Sequence, residues 1–305
     1  MEKIQLKVPA TIANLVCGFD ILGMAMNEPF DEMEFRLLEE PKIIINHTDS
    51  FGLPTEPEKN VAGVVILKIL EYLNLNLGVE VSIHKNIKPG SGLGSSAASA
   101  AGAAFGLNKL LGNPLSEKEL VHFAMYGEEL ASGVRHADNI APCIYGGITL
   151  VKSSDPIDII PLSSPNLYVA AVHPQVEVKT SDARQILKKH IQLKDAVTQW
   201  GNVAGLVAGI LKNDHALIGR SMNDVIVEPV RSILIPKFDM IKTRSLELGA
   251  LGGGISGSGP SIFMLSENET VAQNIVEMMK AEFTSIGIES LVYVSKINNE
   301  GIKLI

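Results

Sequence analysis

Residues 89–99 read PGSGLGSSAAS, a glycine–serine run that passes directly into alanines. A bound phosphate needs several backbone N–H groups converging on it with no side chains in the way. Glycines permit that approach, and a helix N-terminus adds about half a positive charge with unsatisfied N–H donors. Gly90, Gly92, Gly94, Ser95 and Ser96, leading into a helix of small residues over 96–111, supply such a cradle. The serine hydroxyls can donate to phosphate or ligate a magnesium ion. Other nucleotide readings fit less well. Gly92-x-Gly94-x-x-Ala97 and Gly252-x-Gly254-x-x-Gly257 both satisfy the dinucleotide pattern. The first, however, lies far from the first strand of any βαβ series, and the second precedes a strand. The G-K-[ST] of a Walker A loop is missing from 89–99. A second cluster, RHADN at 135–139, holds His136, Asp138 and Asn139. By residue type alone Asp138 is the candidate general base, since a carboxylate can take the proton of a nearby hydroxyl.

The elements around these residues follow from periodicity and caps. Val79, Val81 and Ile83 alternate on one face, which predicts a half-buried strand over 79–84 feeding the glycine loop. Ser95 and Ser96 stand where a helix N-cap belongs, and Gly112 with Pro114 closes that helix. Ser116-x-x-Glu119 is a capping box that opens a helix to about Ser132, and Asn60 starts another through Leu73. YGGITLV (145–151) predicts a strand, and the Pro/Ser-rich 153–165 predicts a domain boundary. Beyond it, strands over 167–172, 261–266 and 291–297 alternate with helices near 182–190, 195–212, 237–248 and 268–286. Strands and helices mix in both halves, so α+β fits better than a regular parallel repeat.

Of the 305 residues, 46% are hydrophobic and 20% charged, an ordinary globular composition with ample material for a core. A net charge of −8 argues against nucleic acid or an anionic membrane as partner. The two cysteines, Cys17 and Cys143, form no framework, and a reducing cytoplasm is the simplest setting. The small-residue run from Ala97 to Leu107 is too short to span a bilayer, and no histidine pair has zinc spacing.

PGSGLGSSAAS resembles the nucleotide loop of the GHMP small-molecule kinases, the group that includes galactokinase and mevalonate kinase. PATIANLVCGFDILGMAM (9–26), GVRHADNIAPCIYGGITLV (133–151), EPVRSILIP (228–236) and GALGGGISGSGPS (249–261) are similar to the branch acting on L-homoserine. The resemblance implies an α+β fold of two domains. Residues 1–155 would form an ATP-binding domain with a left-handed βαβ unit, and 156–305 a ferredoxin-like domain. It implies magnesium and ATP, direct in-line transfer to the hydroxyl of L-homoserine, and O-phospho-L-homoserine as product on the way to threonine. A homodimer in the cytoplasm is the family expectation.

The same resemblance assigns residues. Asp20 takes the substrate ammonium, Asn14 and His136 contact the substrate, and Arg184 and Arg231 hold its carboxylate, for which a planar guanidinium fork is suited. Asn139 stands where mevalonate kinase has its catalytic aspartate, so it orients the hydroxyl without accepting a proton, with Thr180 and Arg184 beside it. ATP lies on Pro89, Gly90, Ser91, Gly92, Leu93, Gly94, Ser95, Ser96 and Ala97. Magnesium lies on Ser96 and Glu128, while Glu129, about 100° away on a helix, faces elsewhere. Gly254 and Gly257 belong to a third motif that packs on the nucleotide loop. The role of Asp138 stays open.

Two departures stand out. Val16 and Cys17 replace a Gly-Pro of the first family motif, and Lys88 stands where the nucleotide loop usually has proline, with Pro89 after it. Neither removes a proposed ligand, and Lys88 could add charge near the phosphates. Three other readings remain: a GHMP kinase for a different alcohol such as mevalonate, a sensor of ATP or an amino acid without turnover, and, last, a nicotinamide oxidoreductase.

Overall fold

Pleated alternation at the predicted strand sets the frame of the first half. Gly78–His84 buries Val79, Val81 and Ile83 while Glu80 and Ser82 turn to the other face. The structure, a computed structural model, describes residues 3–178 and 180–305, the side chains of Thr180 and Ser181 excepted. Six strands precede residue 163: β1 (Lys3–Ala13), β2 (Leu22–Leu38), β3 (Ile43–His47), β4 (Gly78–His84), β5 (Ile148–Ser154) and β6 (Ile157–Leu162). With β11 (Lys303–Leu304) they form a seven-stranded sheet along the path β11-β1-β2-β4-β3, to which the β5–β6 hairpin adds through β2. Among the described residues of this sheet, β3 and β4 are the only neighbours that pair in parallel.

Four helices cover this sheet: α1 (Val61–Tyr72), α2 (Ser95–Leu110), α3 (Glu117–Ser132) and α4 (Ile140–Tyr145). The Ser116–Glu119 capping box is formed, and Asn60 caps α1 by accepting from the N–H groups of Ala62 and Gly63. The small residues of α2 have a packing reason: a Cβ on Gly106 would stand 2.4 Å from the Phe35 ring of β2. The helix therefore lies close enough to the sheet to be almost wholly buried.

The second half is a βαββαβ unit. Its strands are β7 (Tyr168–Pro174), β8 (Gly252–Ile255), β9 (Ile262–Ser266) and β10 (Ser290–Lys296), in the antiparallel order β10-β7-β9-β8. Between β7 and β8 run α5 (Thr180–Gln185), α6 (Leu193–Lys212), α7 (His215–Ser221), α8 (Glu228–Arg231) and α9 (Phe238–Glu247), and α10 (Glu269–Thr284) joins β9 to β10. One face of this sheet, with Val172, Ile262 and Met264, packs on Ile241, Ile275, Met279 and Phe283. The other face, with Val169, Ala171, Phe263 and Leu265, is continuous with the core of the first half.

Several expectations change. Within the Pro/Ser-rich 153–165, Ile157–Leu162 pairs with β5, so the division expected after residue 155 falls in the turn of that hairpin. Helix α5 ends at Gln185, short of residue 190, and α4 and α7 were not foreseen. Strands β1 and β2 were not predicted, and each contains a proline, a residue that argues against a strand. Here the ladder tolerates Pro9 because the β1–β2 register shifts beside it.

Candidate active site

A cavity of about 380 Å³ runs between the two halves, with the glycine loop at one end and Asp20, His136, Arg184 and Arg231 at the other. Pro89, Gly90, Gly92, Gly94, Ser95 and Ser96 line it. Ser91, Leu93 and Ala97 are buried behind the loop. The helix cap is Gly94 in the left-handed region (φ 70°), one residue before the predicted serines. A Cβ at Gly94 would stand 2.0 Å from Thr11 Oγ1, so only glycine fits. The Ser95 hydroxyl donates to the Ile87 carbonyl at 2.7 Å and braces the loop. Lys88 pairs with Gln175, away from the cavity.

Lys85 anchors this end, although its importance was not anticipated. Its ammonium pairs with Asp31 and donates to Ser95 O at 2.7 Å and Ser99 Oγ at 2.9 Å. Asp31 Oδ1 accepts from the N–H groups of Asn86 and Ile87, both at 2.8 Å. The end of β4, the loop and the first turn of α2 are thus tied to one buried ion pair. Lys85→Met is expected to cost about 3–5 kcal/mol by leaving Asp31 buried without its counter-charge. Adding Asp31→Asn should recover part of that loss, as read by urea denaturation; a single variant as stable as the parent would refute the anchor.

Glu128 reaches the cavity from α3, buried, with Oε1 lacking any partner. Burial pushes its carboxyl up, while a hydrogen bond from Ser96 and the charge of Lys85 pull it back. An orphaned carboxylate oxygen beside a serine hydroxyl at a phosphate loop is a donor set that suits magnesium, which often takes one or two protein groups with the rest from phosphate and water. Among the described residues no cluster of three or more His, Cys, Asp or Glu could hold a metal alone. Glu129 is exposed and lies 4.0 Å from Arg135, as the helix geometry requires.

At the other end, the chain between β1 and β2 passes through left-handed backbone at Asn14, Leu15, Val16 and Asp20 (φ 73°, 40°, 68° and 61°). Side chains rarely take this region, and a β-branched valine least readily. The Val16 departure from glycine therefore strains the turn. Asn14 N–H to Leu22 O and Gly18 N–H to Asn14 O, both 2.7 Å, hold it closed. Gln199 of α6 braces it from behind by donating to Cys17 O at 2.8 Å. Asn14 Oδ1 accepts the Asp20 N–H at 3.0 Å, and its amide donates to Gly257 O at 2.9 Å. Arg231 donates to the same carbonyl at 3.0 Å, which is how the third motif shapes the site. That motif also grips the nucleotide loop, since Ser256 Oγ donates to Gly92 O at 2.7 Å. Gly254 lies within β8. Both guanidiniums lie over Phe19, at 5.6 Å for Arg184 and 5.0 Å for Arg231.

Arg184 Nη2 donates to Asp20 at 3.1 and 3.2 Å and to His136 Nε2 at 2.8 Å. Burial holds His136 below its usual value, with Arg184 and Arg231 acting the same way against Asp20. Because the Arg184 guanidinium can only donate, Nε2 accepts and carries no proton, while Nδ1 lies 3.8 Å from Asp20. Thr180 as a site residue lies outside the described side chains.

Asn139 stands where the two ends meet. Its Oδ1 accepts from Thr11 Oγ1 at 2.8 Å, so the amide NH₂ is the group left to face a ligand. Asp138, also lining the cavity, accepts the Asn139 N–H at 3.1 Å. Burial, followed by the charges of Asp20 and Glu128, pushes its carboxyl up to about 7. Lys85 and Thr11 were legible in principle, since Lys85 continues the inward register of Val81 and Ile83 and Thr11 falls in a buried strand. A charged or polar residue on a core face is the informative exception.

A phosphate-cradling helix start, joined through one cavity to paired charges on a βαββαβ half, is the arrangement of a small-molecule phosphotransferase. The chain belongs to the GHMP kinases: the family's N-terminal domain matches residues 60–147 and its C-terminal domain residues 206–285. It is 44% identical over 319 residues to a homoserine kinase of Chloroherpeton thalassium, covering 100% of both chains. It is also 45% identical to one of Chlorobium phaeobacteroides, covering 97% of each. The crystal structure of homoserine kinase from Cytophaga hutchinsonii superimposes with a TM-score of 0.95 at 52% identity, covering 100% of this chain and 98% of that one.

Proposed function

We propose that this chain transfers the γ-phosphoryl group of ATP to the side-chain hydroxyl of L-homoserine, giving O-phospho-L-homoserine, ADP and the hydroxyl proton, which is released to solvent. The observation that carries this reading is the cavity with a phosphate cradle at one end and, at the other, one carboxylate and two guanidiniums, the charges that a zwitterion would match. Asp20 takes the ammonium, and Arg184 and Arg231 take the carboxylate. The Asn139 amide donates to the hydroxyl oxygen and aims its lone pair at the γ-phosphorus. Rate then comes from positioning and charge stabilisation. Glu128 and Ser96 would hold magnesium, which when bound neutralises charge on the transferring phosphates. The chain works as a homodimer in the cytoplasm, a setting consistent with its two unpaired, buried cysteines. Among the described residues no helix is long and apolar enough to cross a membrane.

ADP release with magnesium and ATP, compared for L-homoserine, mevalonate, galactose and no acceptor, tests the reading. Turnover on L-homoserine alone is the expected result. Turnover on mevalonate would reassign the acceptor, and ATP binding without turnover on any of them would make the protein a sensor.

A further inference from the structure

Helix α6 carries an apolar row that the rest of the described chain leaves largely uncovered, with Val207 of the row half-buried against the core. Its core side is Ala196, Gln199, Leu206, Gly209 and Ile210. Roughly 100° around the helix lies a second row of Leu193, Val197, Trp200, Ala204, Val207 and Leu211. Leu193 is 72% exposed, Val197 56%, Trp200 62% and Leu211 59%. Lys194, Asp195 and Lys212 are the only charges on this 20-residue helix, all near its ends. The row presents apolar surface on the order of several hundred Å², an extent that on a soluble chain marks an interaction site.

The spacing identifies the occupant. The intervals along the row alternate four and three residues, the seam of a coiled coil, and they read the same from either end. A row of that kind is its own complement when turned about a two-fold axis through its midpoint, near Asn202. Antiparallel pairing sets Leu193 against the partner's Leu211, Val197 against the partner's Val207, and Trp200 against the partner's Ala204. The largest side chain of the row thus meets the smallest. Parallel pairing would stack tryptophan on tryptophan and leave a gap at alanine. Two such rows together cover on the order of 1,000 Å², the lower bound for a specific interface.

We propose that α6 is the self-association face of this chain, pairing antiparallel with α6 of a second copy. The inference rests on the homodimer named above and assigns its surface. It also ties assembly to the site, since Gln199 on the core side of the same helix holds the turn that carries Asp20.

Sedimentation velocity of the full chain across the micromolar range, for the parent and Trp200→Glu, is the test. A parent dimer and a monomeric variant with unchanged circular dichroism are expected. Oxidation of Val197→Cys/Val207→Cys should join two copies covalently, because the native Cys17 and Cys143 are buried and stay silent. A parent that stays monomeric would overturn both the dimer and the face. A Trp200→Glu dimer would keep the dimer and overturn the face. Cross-linking by Val197→Cys alone would overturn the antiparallel register. ADP release by the same samples reports separately on the catalytic reading.

Discussion

Glu128→Gln is expected to lower kcat with magnesium–ATP and L-homoserine by at least about 100-fold while making the ligand-free protein more stable. The two effects share one cause. Glu128 keeps a carboxylate in a buried site where one oxygen has no partner, and burial already works against its charge. A neutral amide removes that penalty, a gain on the order of 1–3 kcal/mol. It also removes the anion that would bind magnesium beside Ser96. Thermal melts with and without magnesium–ADP separate the contributions: the parent should gain more from the ligand than the variant does. Unchanged kcat, or a variant that melts lower than the parent without ligand, would take Glu128 out of the metal site.

Asp138→Asn should flatten the pH dependence of stability. The folded carboxyl titrates at about 7 against an ordinary value of 3.8, so the folded protein holds the proton more tightly than the unfolded chain. For an acid shifted upward there is no penalty below about pH 4, where both states are protonated. The penalty grows from there to about pH 7 and is complete above it, reaching on the order of 4 kcal/mol. Urea denaturation of ligand-free parent and variant at pH 5 and pH 8 should therefore show the variant's advantage widening with pH. An advantage that stays constant or narrows would mean that Asp138 is charged at low pH. A cation bound nearby draws the carboxyl back down, so substrate binding at neutral pH should release a proportion of a proton.

The elements that read cleanly from sequence are those whose signals are local. The Ser116–Glu119 box, the Asn60 cap and the Val79–Ile83 alternation each state their structure within a few residues. The cradle at 89–97 did too, apart from the cap, which falls on glycine because Thr11 leaves no room for a side chain at Gly94. What sequence reasoning could not derive was the juxtaposition. Thr11 meets Asn139 across 128 positions and Arg184 meets Asp20 across 164, and only the fold closes those gaps. Residue resemblance pointed to Asp20, Arg184 and Asn139, but it gave no hint of Lys85–Asp31, whose two residues lie outside every motif that resemblance marked although Lys85 holds Ser95 and Ser99 of the nucleotide loop. The left-handed run at Asn14–Val16 was equally hidden, since no glycine there announces it.

The Asp20–Arg184 pair has a bearing on selectivity that lies in exchange rather than in fit. As the protein stands, each of these charges already has a mate. An incoming amino acid therefore displaces both at once, its ammonium replacing the guanidinium on Asp20 and its carboxylate replacing Asp20 on the guanidinium. The swap conserves the number of ion pairs only for a molecule that carries both charges. An amino alcohol strands Arg184, a hydroxy acid strands Asp20, and either forfeits on the order of 1–3 kcal/mol for the group left unmatched. The internal pair thus acts as a resident competitor that only a zwitterion can replace in full.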